Sequence, residues 1–167
     1  MSYEVWQKRS NQLCQRLIET SCFKKAQTIL AYFPTRFEPD LSSLFKLKEY
    51  QWGLPRCQNQ SLYWHSWSFE SVLEKRAYGI LEPHETAPII PIKKVDLILV
   101  PSIACDFKGF RLGYGGGYYD RLFSNPIWSS IPKVGVTFKL VPTLPSEEWD
   151  QQLNYICTDK ELVASIY

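Results

Sequence analysis

The sequence predicts one α/β domain over residues 1–167, three-layered (α/β/α) and built on a mainly parallel, Rossmann-like open sheet. Three observations predict it. Short apolar runs, TILAYF at Thr28–Phe33 and VDLILV at Val95–Val100, have the near-continuous hydrophobicity of strands covered on both faces. Amphipathic segments alternate with such runs, the order that a parallel sheet with crossover helices requires. No repeat, low-complexity tract or linker divides the 167 residues, a length that suits a single core.

The elements follow in order. Glu4 to about Glu19 reads as a helix, with Val5, Trp6, Leu13, Leu17 and Ile18 on one face and Lys8, Arg9 and Arg16 opposite. Thr28–Phe33 is a strand stopped by Pro34, and PTRFEPD is a loop. Leu41–Tyr50 is expected to be a second helix, started by Asp40 or Ser42. Leu54-Pro55-Arg56 precedes a strand at Leu62–Trp67, and Phe69–Arg76 is expected as a short helix. From Tyr78 to Lys94 the chain reads as a proline-rich loop. Val95–Val100 is the clearest strand, stopped by Pro101. Tyr118–Phe123 opens a helix, and Val134–Phe138 and Tyr155–Thr158 are further strands.

Composition removes several function classes. The formal net charge of +2 implies no broad basic surface, so nucleic acid is not an expected partner. Five cysteines without CxxC spacing, beside two histidines, do not make a structural zinc site. The odd cysteine count and a polar start, MSYEVWQKRSNQ, predict reduced thiols and a cytoplasmic location. There is no run of about 18 apolar residues to span a membrane. With no large apolar stripe apparent, a monomer is expected.

The stretch RLGYGGGYYD, residues 111–120, concentrates the chemistry, holding four of the eight glycines. It follows a strand and opens a helix, and ligands of open α/β sheets bind beyond the carboxyl ends of strands. Bare backbone lets N–H groups approach phosphate, and a helix start favours an anion. Gly117 is followed by Tyr118 rather than Lys, so the P-loop pattern fails, and Gly113-Tyr114-Gly115 lacks the third glycine of a dinucleotide fingerprint. Arg111 is the nearest cation for phosphate. Asp120 is either a helix-start residue or a Mg2+ ligand. Tyr114, Tyr118 and Tyr119 either flank a flat ligand or fill the core. By residues alone the cluster is equally a tight turn or a phosphate cradle.

RLGYGGGYYD after DLILVP, with GILEP upstream and LPSEEWD downstream, resembles the 5-formyltetrahydrofolate cyclo-ligase family. Supporting matches are Lys8-Arg9-Ser10, Tyr32, Glu38, Pro55-Arg56 and Cys157-Thr158-Asp159, so the resemblance covers nearly the whole chain. It implies ATP- and Mg2+-dependent closure of 5-formyltetrahydrofolate to 5,10-methenyltetrahydrofolate through a phosphorylated formyl oxygen, with ADP and phosphate released. It implies Arg111, Leu112, Gly113, Tyr114, Gly115, Gly116, Gly117, Tyr118, Tyr119 and Arg56 as ATP-binding residues, and Glu38, Tyr114, Tyr118 and Tyr119 as folate-binding ones. Asp120 and Asp150 would hold Mg2+, and Arg111, Tyr119 and Asp120 would serve catalysis.

Three departures follow. The family's earlier stretch, with a Lys and an Arg that help hold ATP, finds no match, and Lys8 and Arg9 are the candidates to replace it. A family glutamine after KVGVTF is replaced by Lys139-Leu140-Val141-Pro142. The family's His-Asp is Trp149-Asp150. They motivate the alternative of a non-catalytic folate- or nucleotide-binding relative; a different phosphotransferase on a similar fold is the third reading.

Overall fold

The computed structural model describes residues 1–76 and 79–166. Helix α1, Tyr3–Glu19, begins at Ser2, whose Oγ accepts from Val5 N at 3.3 Å. Ser10, Leu13, Cys14 and Leu17 form its buried stripe, at the spacing of one helix face. Val5, placed on that face by the sequence, is exposed. A second helix, α2 at Ser21–Lys25, is capped by Thr20 and was not foreseen.

The strands are β1 Thr28–Leu30, β2 Gln51–Gln58, β3 Ser61–Trp67, β4 Leu73–Lys75, β5 Leu81–Pro83, β6 Leu97–Pro101, β7 Ala104–Asp106, β8 Arg111–Leu112, β9 Lys133–Val136, β10 Leu140–Val141, β11 Tyr155–Cys157 and β12 Leu162–Ala164. Helix α3, Tyr118–Ser124, lies between β8 and β9. A seven-stranded sheet runs in the order β12-β11-β9-β6-β1-β2-β3. Its five inner strands are parallel, and β12 and β3 close the edges antiparallel.

Alternation along the strands builds a core on each face. Ile29, Leu97 and Leu99 pack with Leu13 and Leu17 of α1. Leu30, Ile98 and Val100 pack with Tyr119 and Phe123 of α3. At Gly53 of β2, an added Cβ would lie 2.5 Å from Leu30 Cδ2, so the second core fills that position.

Two expected helices do not form. In Leu41–Tyr50 only Leu44–Lys46 makes a single 3-10 turn. Leu41, Leu44 and Phe45 are buried at helical spacing, but one turn suffices for that, and Leu47 leaves with ψ 98. The expected helix Phe69–Arg76 instead contributes β4, paired antiparallel with β5 inside the expected loop. Long-range bonds override local preference there: Glu82 Oε1 accepts from Cys57 N at 3.0 Å, and Arg56 Nη1 donates to Pro83 O at 2.9 Å. Tyr78, where the loop was expected to start, lies outside the described residues.

Strand β2 runs through Pro55 because that position needs no donor. Gly53 O accepts from Ala31 N, so Pro55, two residues on, faces the same side. The ladder with β1 ends at Leu30↔Gly53, and no strand among the described residues pairs with the proline on that side.

The parallel strands read β2-β1-β6-β9-β11, so the chain leaves β1 toward one side and later resumes on the other. The switch point lies between β1 and β6, where open α/β sheets bind ligands beyond the carboxyl ends. There Glu38, on the loop after Leu30, feels the charge of Arg111 on β8, in a small sheet ordered β10-β7-β8.

Candidate functional site

Asp106, fully buried at the end of β7, shapes the turn into β8. Its Oδ1 accepts from Lys108 N and Phe110 N, each at 3.0 Å, and its Oδ2 from Leu144 N at 2.9 Å. Gly109 in this turn has φ 88, and a Cβ there would lie 2.4 Å from Leu153 O, so only glycine fits. The turn delivers Arg111.

The Arg111 side chain is largely buried. Its Nη1 donates to Pro101 O at 3.3 Å, and its Nη2 lies 3.7 Å from Asp120 Oδ2. Its guanidinium carbon sits 5.1 Å from the centre of the Tyr119 ring. Its Nε is buried with no acceptor among the described residues. That is one buried donor of a strong anion-binding group with no acceptor from the described residues.

The glycines then carry the chain over open space. Gly115 has φ 91, and among the described residues no atom beyond its chain neighbours lies within 4 Å of where its Cβ would stand. Gly117, at φ 68, opens α3 without a side-chain cap. Helix α3 buries Tyr119 against Trp64 and Phe123, at 6.2 and 5.9 Å between ring centres. Burial, more than any neighbour, raises the Tyr119 hydroxyl well above the ordinary tyrosine range.

Asp120 Oδ1 accepts from Gln151 N at 3.2 Å, which brings α3 against the residue after Asp150. Asp150 Oδ2 accepts from Glu147 N at 2.7 Å. No cluster of three or more His, Cys, Asp or Glu suited to a metal occurs among the described residues. Two carboxylates on adjoining segments are nevertheless the donor set that Mg2+ takes beside substrate phosphates. The residues therefore fit the group.

Glu38 enters from the loop after β1 and is 8% exposed. Its Oε2 accepts from Thr35 N at 2.8 Å and Thr35 Oγ1 at 3.1 Å. Burial raises its carboxyl above the usual range, and the Thr35 bonds and the charges of Arg111 and Arg36 offset only part of that rise. Its charge also raises the hydroxyls of Tyr32, Tyr114 and Tyr119, second to burial at Tyr32 and Tyr114 and behind the lowering effect of Arg111 at Tyr119. Arg36 lies over the Tyr114 ring at 5.1 Å and links this loop to the glycine loop.

The structure thus gathers Glu38, Arg111, Tyr114, Tyr119 and Asp120, with Asp150 one residue from a direct contact. Leu112 and Gly116 are exposed on the same loop, and Gly113 lies against the Arg111 guanidinium. Tyr118 points elsewhere: its hydroxyl donates to Asn59 O at 3.4 Å in the β2–β3 turn. Arg56 is bonded away from the glycine loop, with Nη1 on Glu74 Oε2 at 3.0 Å and on Pro83 O, and Nη2 3.7 Å from Glu85 Oε2.

Arg9 does not take the expected part of an ATP-holding cation. Its Nε and Nη2 grip both oxygens of Asp159 at 2.8 and 2.9 Å, and Nη2 also donates to Phe138 O. Ser10 Oγ accepts from Asp40 N at 3.0 Å. The Lys-Arg-Ser and Cys-Thr-Asp motifs therefore meet through Arg9 and Asp159. Lys8 is exposed.

Sequence reasoning missed Asp106, Thr35 and Trp6, whose Nε1 donates to Glu38 O at 2.8 Å. A signal existed for Thr35: Thr-x-x-Glu is the spacing of a capping box, and one of its two bonds, from Thr35 N to the Glu38 carboxylate, forms here. Nothing local marked Trp6, since its partner lies 32 residues away.

The model of the 5-formyltetrahydrofolate cyclo-ligase family matches residues 1–159. The 5-formyltetrahydrofolate cyclo-ligase of Haemophilus influenzae is 36% identical over 87 residues, which are 50% of this chain and 46% of that protein. That of Escherichia coli strain K12 is 34% identical over 96 residues, 56% of this chain and 53% of the relative. The match thus spans about half the length of these two curated relatives. The solved 5,10-methenyltetrahydrofolate synthetase of Aquifex aeolicus superposes with a TM-score of 0.84 at 32% identity, over 98% of this chain and 84% of that one.

Proposed function

From the premise that the chain belongs to the 5-formyltetrahydrofolate cyclo-ligase family, we propose that it converts 5-formyltetrahydrofolate to 5,10-methenyltetrahydrofolate, using ATP and Mg2+, as a cytoplasmic monomer. The observation that carries the reading is the meeting of Glu38 with Arg111 and Asp120 at the switch point. One pole is a buried carboxylate for a ligand's N–H groups; the other is a guanidinium with an unused donor beside an acidic pair.

The family resemblance supplies the chemistry that those poles would serve. The terminal phosphoryl group of ATP passes to the formyl oxygen, and ADP leaves. N10 then attacks the formyl carbon and loses its proton, and phosphate carries the oxygen away. Oxygen departs far more readily as phosphate than as hydroxide, and phosphoryl transfer asks of a protein mainly position and charge neutralisation. Arg111 would supply charge, with backbone from Leu112 to Gly117 lying along the phosphates. Asp120 and Asp150 would hold Mg2+, which neutralises phosphate charge when bound. The 3.7 Å pair between Arg111 and Asp120 would keep both groups beside the transfer.

Glu38 would fix the pterin through its N–H groups, with Tyr114 and Tyr119 bounding the ring and Tyr118 fastening the loop from its outer side. Arg56 would take phosphate only by exchanging its bonds to Glu74 and Glu85. No side chain need form a covalent bond, since N10 is the nucleophile.

The test mixes the full chain with 5-formyltetrahydrofolate, ATP and Mg2+ and follows the near-ultraviolet band of the methenyl product, with Asp120→Asn beside it. Product from wild type and at least a hundredfold less from the variant is expected. Folate binding without product or ADP would assign the chain to a binding relative instead.

A further inference from the structure

The loop carrying Glu38 is built to present one carboxylate oxygen. Arg36 and Phe37 both adopt left-handed backbone, at φ 48 and 65, uncommon for residues with side chains. Glu38 N donates to Thr35 O at 2.9 Å, so the chain folds back and sets Thr35 against the Glu38 carboxylate. Trp6 Nε1 holds Glu38 O, and the Tyr32 hydroxyl donates to Pro39 O at 2.9 Å. The backbone is fixed on both sides of the residue. Both donors that reach the carboxylate come from Thr35, and both end on Oε2; nothing among the described residues bonds Oε1.

We propose that Thr35 is the positioning residue of Glu38: its N–H and hydroxyl occupy Oε2 and leave Oε1 to receive the substrate's N–H groups. The inference rests on the folate reading of Glu38. Hydrogen bonds to a carboxylate favour its charged state, whereas burial opposes it. The other groups facing this carboxyl are the cations Arg111 and Arg36 and the hydroxyls of Tyr32, Tyr114 and Tyr119. The cations help ionisation but are shared: Arg111 with Asp120, and Arg36 with the Tyr114 ring. Thr35 alone bonds the oxygen.

The experiment measures binding of 5-formyltetrahydrofolate to the full chain without ATP, between about pH 5 and pH 8, by calorimetry, for wild type, Thr35→Val, Thr35→Ser and Glu38→Gln. Thr35→Val keeps shape and the N–H donor and removes only the hydroxyl. It should weaken binding at neutral pH by about tenfold, the effect of one bond to a charged group. It should also move the acidic loss of binding upward by about one pH unit. Thr35→Ser should restore both, and Glu38→Gln should bind weakly with no acidic limb of this origin. A residue that only held the loop together would lower the melting temperature or the active fraction without moving that limb. Wild type that binds while a folded Thr35→Val shows the same limb overturns the proposal. Wild type that binds folate at no pH overturns the folate reading itself. Should the valine variant not fold, Thr35→Ala against Thr35→Ser carries the same comparison.

Discussion

Replacing Asp106 should unfasten the turn that aims Arg111. Its carboxylate accepts three backbone N–H groups, two on one oxygen and one on the other, from a fully buried position. Asp106→Ala leaves all three donors without their acceptor. A buried donor left unpaired costs about 1–3 kcal/mol. Lys108 is exposed, so water can recover part of one bond, and the net loss should be about 3–5 kcal/mol, a large share of the 5–15 kcal/mol typical of a domain. Asp106→Asn is the sharper probe. Its carbonyl oxygen can keep Lys108 and Phe110, but its amide then meets the Leu144 N–H donor to donor. That should cost about 2–3 kcal/mol and loosen the segment leading to Asp150. Urea unfolding reads both losses as a lower midpoint at unchanged slope. If both variants stay within about 1 kcal/mol of wild type, the three bonds do not hold the turn and the reasoning fails.

Further outcomes can be checked alongside. Burial pushes the Asp159 carboxyl up, but the Arg9 hydrogen bond and charge outweigh it and hold it below the usual range. A carboxyl depressed on folding stabilises above its unfolded value of about 3.9, and that contribution vanishes as pH falls through the folded one. Asp159→Asn should therefore be less stable than wild type at pH 7, with the gap closing in acid; an equal gap at both ends would contradict the pair. Gly135→Ala puts a Cβ 2.7 Å from Leu153 Cδ1 and 2.9 Å from Cys105 Sγ, so overpacking of about 1–3 kcal/mol should appear in thermal melts. Gly115→Ala meets open space but keeps a left-handed φ; it should cost only about 1–2 kcal/mol, while nucleotide binding, read by calorimetry, falls further than stability does. Trp6→Phe removes one bond to Glu38 O and should raise KM for the folate several-fold with kcat nearly unchanged; an unaltered KM would separate Trp6 from the site.

How much of this was legible depended on where each residue's partners lie. Leu97 to Val100 read as a strand because both faces are covered, and Leu13 and Leu17 read as a helix face because their spacing is local. The hairpin of β4 and β5 was invisible because Glu82 and Arg56 make bonds across more than 20 residues, which no local window contains. The helix expected at Leu41–Tyr50 failed for the opposite reason. Its apolar spacing is real, but a single turn buries all three side chains. In the site, Arg111, Asp120 and Glu38 were named from motifs, and their meeting follows from strand order, which motifs do not encode. Arg9 shows the limit most plainly: a basic motif residue suggests phosphate, and only the fold discloses that Asp159 already occupies it.

That last pair sets a schedule for the chain's birth. Arg9 and Asp159 stand 150 residues apart, and α1 also packs on β11. A ribosome delivers the helix and its nearer partners Ile29, Glu38 and Asp40 early, and Asp159 late. Through most of synthesis the apolar stripe of α1 has no finished sheet to cover it, and contacts of such separation form slowly. The helix can thus settle on its nearer partners before its distant ion pair forms, and chains stalled before Tyr155 should be the species that chaperones hold.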